Sequence, residues 1–164
     1  MASDYIEITR TRRGLGRPET AALVKKAVKT ALCAEGVRVP CFVDVTLTDD
    51  ETIHEINLSE RGIDRATDVL SFPLNELEPG SFDPERCETD YGTGAVLLGD
   101  MVISIPRCEA QGEEYGHGYK REVSYLAVHS TLHLLGYDHV DEGPMKEQMR
   151  SREDAIMDIL NVKR

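Results

Sequence analysis

The sequence predicts an α+β fold in which helices pack against a small mixed sheet. Segments with period-two alternation indicate strands, whereas the last third of the chain shows helical spacing. Strands and helices follow one another without strict alternation, which favours α+β over α/β. The 164 residues contain no internal repeat and no low-complexity linker, so we expect residues 1–164 to form a single domain.

The first strand and the first helix are predicted from apolar spacing. Ile6 and Ile8 alternate with polar neighbours over residues 5–9, as in a half-buried strand. Pro18 suits the first position of a helix, and Gly36 suits its end. The apolar stripe of this helix consists of Val24, Val28, Ala31 and Leu32.

Residues 42–48 carry the clearest strand pattern of the chain, because apolar and polar side chains alternate throughout. The apolar face of this strand consists of Val43, Val45 and Leu47. A short helix is expected next. Asp49 or Asp50 can cap its first turn, and Gly62 can close it.

The middle of the chain is expected to form two strands separated by a long loop. Residues 68–74 resemble a short strand that ends at Pro73. Residues 75–94 combine several prolines and glycines with many acids, which predicts a long exposed acidic loop. Residues 97–105 are almost continuously apolar, as expected for a central buried strand.

The last third is predicted to be helical. Residues 120–135 are apolar on almost every side, so this helix should lie buried at the centre of the fold. Gly136 ends it, and Pro144 begins a final helix. Met145 occupies an apolar position of that final helix, where we expect it to pack in the core.

The charge of the chain is unevenly distributed. The net charge is −11, which argues against a polyanionic partner. Residues 1–38, however, hold eight Lys or Arg against four acids, a local balance of +4 that leaves −15 for the remainder. A patch of one sign can guide a ligand even when the total has the opposite sign. A solvated helix face explains the same residues equally well.

Composition indicates a cytoplasmic protein without a membrane segment. No apolar run approaches the length needed to cross a bilayer. Residues 1–13 lack the apolar stretch and cleavage site of a secretory signal. The cysteines are widely spaced without a Cys-x-x-Cys pair, so we expect reduced, partly buried thiols. They are Cys33, Cys41, Cys87 and Cys108.

Three histidines near the C-terminus have the spacing of metal ligands. His129 and His133 lie four residues apart, so both project from one face of the predicted central helix. Gly136 lets the chain reverse and return His139 as a third ligand. Three nitrogen ligands favour one zinc ion, although another divalent transition metal is possible. Three protein ligands leave a coordination position open for water and a substrate.

The spacing is also that of the metzincin peptidases, with one difference. Those enzymes place a glutamate, their general base, directly after the first histidine. This chain has Ser130 there, and a serine hydroxyl cannot perform that role. The sequence therefore predicts a zincin-like metal site on a central helix and the turn after it, without the base of a peptidase.

Other titratable residues receive a less specific interpretation. Glu122 lies two turns before His129, where it either supports a metal ligand or forms a surface ion pair with a Lys or Arg. His54 and His117 are predicted to be ordinary surface histidines. The direction of Asp138 cannot be predicted from its position in the turn.

Three segments together resemble the YbeY family of metal-dependent endoribonucleases. Residues 129–139, HSTLHLLGYDH, are similar to the C-terminal signature of that family. Residues 61–72, RGIDRATDVLSF, are similar to its arginine and the Thr-Asp-Val-Leu-Ser-Phe segment. Residues 98–104, LGDMVIS, are similar to its Leu-Gly-Asp strand. Ser130 departs from the family, which usually has glycine there.

The resemblance implies cleavage of single-stranded RNA, with roles in ribosomal RNA maturation and ribosome quality control. The implied partners are single-stranded RNA, ribosomal RNA or the ribosome, and ribosome-associated proteins. It also implies that Arg61 lies near the metal and supports catalysis. A guanidinium suits that role because it is always charged and can hold two phosphate oxygens. Without the resemblance, Arg61 would be interpreted as a solvated residue at a helix end.

Two other functions remain open at this stage. A metallopeptidase agrees with the histidine spacing but lacks the glutamate. A non-catalytic, zinc-containing module that binds the ribosome or a GTPase agrees with the metal, but structural zinc sites normally have four ligands, often cysteines. No cysteine lies near the histidines.

Overall fold

The computed structural model describes residues 4–139 and 143–162. This part of the chain forms four strands and five α-helices. In chain order they are β1 (Tyr5–Arg10), α1 (Thr20–Ala34), β2 (Cys41–Thr48), α2 (Asp50–Arg61), β3 (Val69–Pro73), β4 (Val96–Ser104), α3 (Ile105–Glu114), α4 (Tyr119–Leu134) and α5 (Pro144–Leu160).

The four strands form one mixed sheet in the order β1-β2-β4-β3. β1 and β4 both pair with β2 in parallel, so β2 is a central strand. β3 runs antiparallel to β4 and lies at the edge. The predicted α+β class with a small mixed sheet is therefore confirmed.

α2 packs against β3 and β4 on one face of the sheet, and the other face is covered by a layer of the remaining helices. Val43, Val45 and Leu47 of β2 are buried against this layer, as their alternation predicts. Within the layer, α4 packs against the neighbouring helices α1, α3 and α5 and against β3 and β4. Most of its side chains are buried, including polar ones. The predicted central position of this helix is confirmed.

α2 begins and ends as its sequence predicts. Asp49 caps it: the backbone N–H of Thr52 donates to Asp49 Oδ1 at 2.9 Å. This hydrogen bond is the largest cause that lowers the pKa of Asp49 to about 2. Gly62 ends α2 with φ +70° and donates its N–H to Leu58. The helix therefore stops directly after Arg61, which fixes the position of that residue.

Two features differ from the sequence prediction. α3 is absent from the prediction, because the sequence analysis assigns residues 97–105 to a strand and no element to residues 106–119. Pro106 occupies its first turn, a position that proline favours. Met145 was expected in the core, but it is 36% exposed, and the prediction was wrong. Burial in α5 starts one turn later, at Met149.

The segment 75–94 contains short ordered features. A 3-10 turn forms at Pro84–Arg86, and a β-bridge joins Glu78 to Ser81. Leu77 is buried and packs against the main core. The beginning of this segment is therefore attached to the helix layer, next to the turn that follows α4.

Burial differs among the cysteine thiols, all four of which are free. Cys41 and Cys108 are buried, Cys87 is partly buried and Cys33 is exposed. Burial is the largest cause that raises the pKa of Cys41 to about 12. None of the described helices is long and apolar enough to span a bilayer.

Candidate metal centre and its cleft

α4 and the turn after it bring the three predicted histidines together. Nε2 of His129 lies 3.2 Å from Nε2 of His133. The ring of His139 lies 5.3 Å from that of His129 and 4.9 Å from that of His133, measured between centroids. One ligand nitrogen from each histidine lies within 4.8 Å of the others. The spacing of the motif thus produces a compact cluster of three imidazoles.

The turn that returns His139 depends on Gly136. Its φ of +102° is a conformation that side chains rarely adopt. A Cβ added to Gly136 would lie 2.2 Å from the carbonyl oxygen of Leu77. The same turn is closed by the N–H of Tyr137, which donates to Leu132 at 3.0 Å. Both φ and the close approach of Leu77 therefore require glycine here.

Hydrogen bonds at Nδ1 orient two of the imidazoles. His133 Nδ1 lies 3.0 Å from the carbonyl oxygen of Tyr137. Since a carbonyl only accepts, His133 carries its proton on Nδ1 and presents a lone pair on Nε2. His129 Nδ1 lies 2.5 Å from Oε2 of Glu153 and donates to it in the same way. The Nε2 atoms of the two rings therefore face each other, an arrangement that a bound cation would stabilise.

Glu153 is a candidate functional residue that the sequence analysis missed. It lies on α5, is only 5% exposed and also accepts a hydrogen bond from the hydroxyl of Tyr125. A carboxylate behind a metal-ligating histidine fixes the ring and raises its basicity. Nothing in the spacing of the histidines indicates this partner, which follows His129 by 24 residues.

The protonation of His133 suits a metal ligand. Burial, followed by the nearby His129 and His139, lowers the pKa of His133 to about 4. The imidazole is therefore neutral near pH 7, and a ligand must be neutral to offer its lone pair.

The distance between the ligand nitrogens of His129 and His133 fits a divalent transition metal. In a tetrahedral site with metal–nitrogen bonds of 2.0–2.1 Å, two ligand nitrogens lie about 3.3 Å apart. The observed Nε2–Nε2 distance of 3.2 Å agrees with that value. An all-nitrogen ligand set suits zinc and related ions better than magnesium or calcium, which prefer oxygen.

The cluster opens into a cleft of about 780 Å³, here called the histidine cleft. Arg61 and Arg65 lie on its wall, contributed by the end of α2 and the residues after it. The cleft also contains acidic side chains, namely Asp68, Glu76 and Asp138. The structure therefore places Arg61 and all three histidines around one space, as the resemblance implies.

Ser130 does not line the histidine cleft. It is fully buried, and its hydroxyl lies 2.6 Å from that of Ser71 on β3. The residue that replaces the peptidase glutamate is therefore part of the packing between α4 and the sheet. Asp138 does line the cleft, and its Oδ1 accepts a hydrogen bond from the N–H of His139 at 2.7 Å.

The alternatives considered for Glu122 were both wrong. It is 2% exposed and hydrogen-bonds His117 at 2.5 Å and Gln111 at 2.8 Å, so it contacts neither a metal ligand nor a surface Lys or Arg. His117 is consequently half-buried and paired, which corrects its prediction as an ordinary surface residue. His54 is exposed and pairs with the exposed Asp64, as expected of such a residue.

Comparisons with known proteins show the family of this chain. The family model described as Endoribonuclease YbeY matches residues 5–161. A Clostridium botulinum protein of that name is 44% identical over 147 residues, which covers 86% of this chain and 88% of the relative. One from Acetivibrio thermocellus is 39% identical over 161 residues, covering 98% and 94%. The solution structure of TM1509 from Thermotoga maritima has a TM-score of 0.56 and 26% identity, covering 95% of this chain and 91% of that one. This chain therefore belongs to the YbeY family of endoribonucleases.

Proposed function

We propose that this protein is a metal-dependent endoribonuclease that cleaves single-stranded RNA in the histidine cleft. One observation carries the proposal: in a chain of this family, a permanently charged guanidinium and three metal-type histidines line the same cleft. By the resemblance, the substrate is ribosomal RNA during its maturation and quality control. The protein then works in the cytoplasm, in contact with the ribosome and ribosome-associated proteins.

His129, His133 and His139 would hold one ion, for which we propose zinc. When bound, the ion stabilises negative charge on a phosphoryl oxygen as a Lewis acid. Glu153 and the carbonyl of Tyr137 keep two of these rings in the orientation that presents Nε2. His139 is exposed, so the cluster can be reached from the cleft.

Arg61 would bind the phosphodiester that is cleaved. Its side chain is exposed and forms no ion pair with a carboxylate in residues 4–139 or 143–162. A planar guanidinium can donate to two phosphate oxygens at once, which orients the phosphate. The negative charge of that group grows during attack, so a fixed positive charge stabilises the transition state more than the substrate.

The geometry does not favour the two alternative functions. A peptidase needs a base where this chain has a buried Ser130 outside the cleft. A structural zinc site is closed by four ligands, whereas the cluster found in the described residues has three and faces a cleft. An open site with an arginine beside it suits hydrolysis of an anionic substrate.

The proposal is tested by incubating the purified protein with end-labelled single-stranded RNA and, in parallel, with casein. We expect metal-dependent cleavage of the RNA only. His133→Ala is the matched control, because it removes a ligand while leaving the α4 backbone intact. Casein hydrolysis by the unmodified protein that is absent from His133→Ala would instead support a peptidase. Intact RNA under all metal conditions would overturn the proposal.

A further inference from the structure

A second arginine of the histidine cleft has no structural role that accounts for it. Within the described ranges, the Arg65 guanidinium forms neither a hydrogen bond nor an ion pair with the protein. The protein carries a net charge of −11, so carboxylates are abundant over its surface. An arginine that lines a cleft in such a protein and pairs with no carboxylate in the described ranges can bind an anion there.

The backbone of Arg65 is nevertheless held firmly. Its carbonyl oxygen accepts a hydrogen bond from Nδ2 of Asn57 at 3.0 Å, and Asn57 is only 1% exposed. The other side-chain atom of Asn57, Oδ1, lies 3.5 Å from Nη1 of Arg61. One buried amide on α2 therefore contacts both arginines, the backbone of one and the side chain of the other. This arrangement holds the backbone of Arg65 and the side chain of Arg61 on the same wall of the cleft.

Among the described residues, no ion pair joins Arg61 or Arg65 to a cleft carboxylate, and two of the three cleft carboxylates, Asp68 and Asp138 but not Glu76, accept hydrogen bonds from other protein groups. Asp68 directs Oδ1 to the N–H of Val69 at 2.8 Å and Oδ2 towards Gln111 at 3.4 Å. Asp138 accepts from the backbone of His139. Their negative charges are thus partly satisfied by protein donors, whereas the two guanidinium groups remain available to a ligand.

We propose that Arg65 binds a second phosphate of the RNA, next to the one held by Arg61 and cleaved at the histidine cluster. The inference rests on the proposed function, since it assigns a further binding residue to the same cleft. Single-stranded RNA carries a negative charge on every nucleotide, so two cationic groups in one cleft can contact neighbouring phosphates. Arg65 would then hold the strand in register with Arg61, without sequence preference.

The first test measures how RNA affinity depends on salt. Binding of a short fluorescent single-stranded RNA to chelator-treated protein is followed by anisotropy at increasing NaCl, and gels confirm that the RNA stays intact without the metal. Loss of one phosphate contact should reduce the slope of log K against log[salt] by about 0.7 in Arg65→Ala. Arg65→Lys should keep the slope, because it keeps the charge. Arg86→Ala is the matched control, since Arg86 is exposed and lies outside the cleft.

The second test locates the phosphate. Single phosphates of the RNA are replaced by neutral methylphosphonates, and the loss of affinity is measured at each position. In the unmodified protein we expect a loss at the cleaved position and at one neighbour. In Arg65→Ala the loss at the neighbour should disappear, because the partner charge is already absent.

These measurements separate the inference from the proposed function. Normal cleavage with an unchanged slope and unchanged methylphosphonate losses in Arg65→Ala would overturn the role of Arg65 alone. If no RNA is cleaved, the proposed function fails, while an Arg65-dependent phosphate contact would still be detected as binding. Absence of measurable RNA binding by the unmodified protein would overturn both.

Discussion

Nδ1 of His129 donates to Oε2 of Glu153 across 2.5 Å, and this hydrogen bond connects α4 to α5. The carboxylate is buried, and the hydroxyl of Tyr125 donates to its second oxygen. The pair fixes which nitrogen of His129 faces the cleft. The last helix therefore supports the candidate metal centre although it contributes none of the three histidines.

Glu153→Gln tests this support. Glutamine keeps the size of the side chain but removes the negative charge that favours a metal on His129. We expect metal affinity to fall by about 10–100-fold while the helical content stays the same. Competition with a chromogenic chelator measures the affinity. Asp154→Asn is the control, because Asp154 is the exposed neighbour on the same helix. Equal affinities of Glu153→Gln and the unmodified protein would contradict the role of Glu153.

Gly136→Ala tests the turn that returns His139. The added Cβ would approach the carbonyl oxygen of Leu77 to 2.2 Å, in addition to the cost of a positive φ. Gly36→Ala is a matched control, since Gly36 has φ +80° and open space around the new Cβ. The positive φ alone should cost Gly36→Ala about 1–2 kcal/mol of unfolding free energy.

We expect a larger loss for Gly136→Ala, together with reduced metal content. Chemical denaturation gives the unfolding free energies, and elemental analysis gives the metal. Equal destabilisation of the two variants, with metal retained, would show that the contact with Leu77 does not constrain the turn.

Ser130→Glu tests the comparison with peptidases. Because Ser130 is fully buried beside the hydroxyl of Ser71, a glutamate there would place a carboxylate in a buried, packed position. Burying such a charge costs several kcal/mol, so we expect a lower thermal midpoint and no proteolysis. Ser130→Ala removes only the hydroxyl and should keep RNA cleavage. A stable Ser130→Glu protein that hydrolyses casein would refute this account of the position.

Arg61→Ala separates chemistry from binding. If Arg61 stabilises charge in the transition state, the variant should keep its fold and metal but lose a rate factor on the order of 10²–10³. Arg61→Lys should recover only part of this, because an ammonium lacks the planar donor geometry. Single-turnover cleavage at saturating RNA measures the rate. A near-normal rate would remove Arg61 from the catalytic residues, since a defect of binding alone disappears at saturation.

Local patterns allowed much of the fold to be predicted. The alternation in β2, the cap at Asp49 and the end of α2 at Gly62 each depend on neighbouring residues only. A short stretch of sequence is therefore enough to predict each of them. The same holds for His129 and His133, whose shared helix face follows from their spacing. These features were predicted correctly because no distant partner decides them.

Contacts between distant residues could not be predicted in this way. α5 contains four acidic residues, and nothing in the sequence indicates which of them contacts a histidine. The packing of α5 on α4 buries Glu153 against His129. Similarly, Gln111 donates a hydrogen bond to Glu122 from α3, a helix that is absent from the sequence prediction. Met145 continues the apolar spacing of α5, but the core begins only at the next turn. In each case, packing against another helix or strand determines whether the side chain is buried and which residue it contacts.

The central claim is that RNA cleavage depends on one metal ion held by His129, His133 and His139. Chelator-treated protein is titrated with zinc, and RNA cleavage and bound metal are measured on the same samples. We expect cleavage to return in proportion to bound zinc and to saturate at about one ion per chain. His133→Ala should bind little zinc and recover no cleavage. Full cleavage by the metal-free protein, or undiminished zinc and cleavage in His133→Ala, would contradict the account.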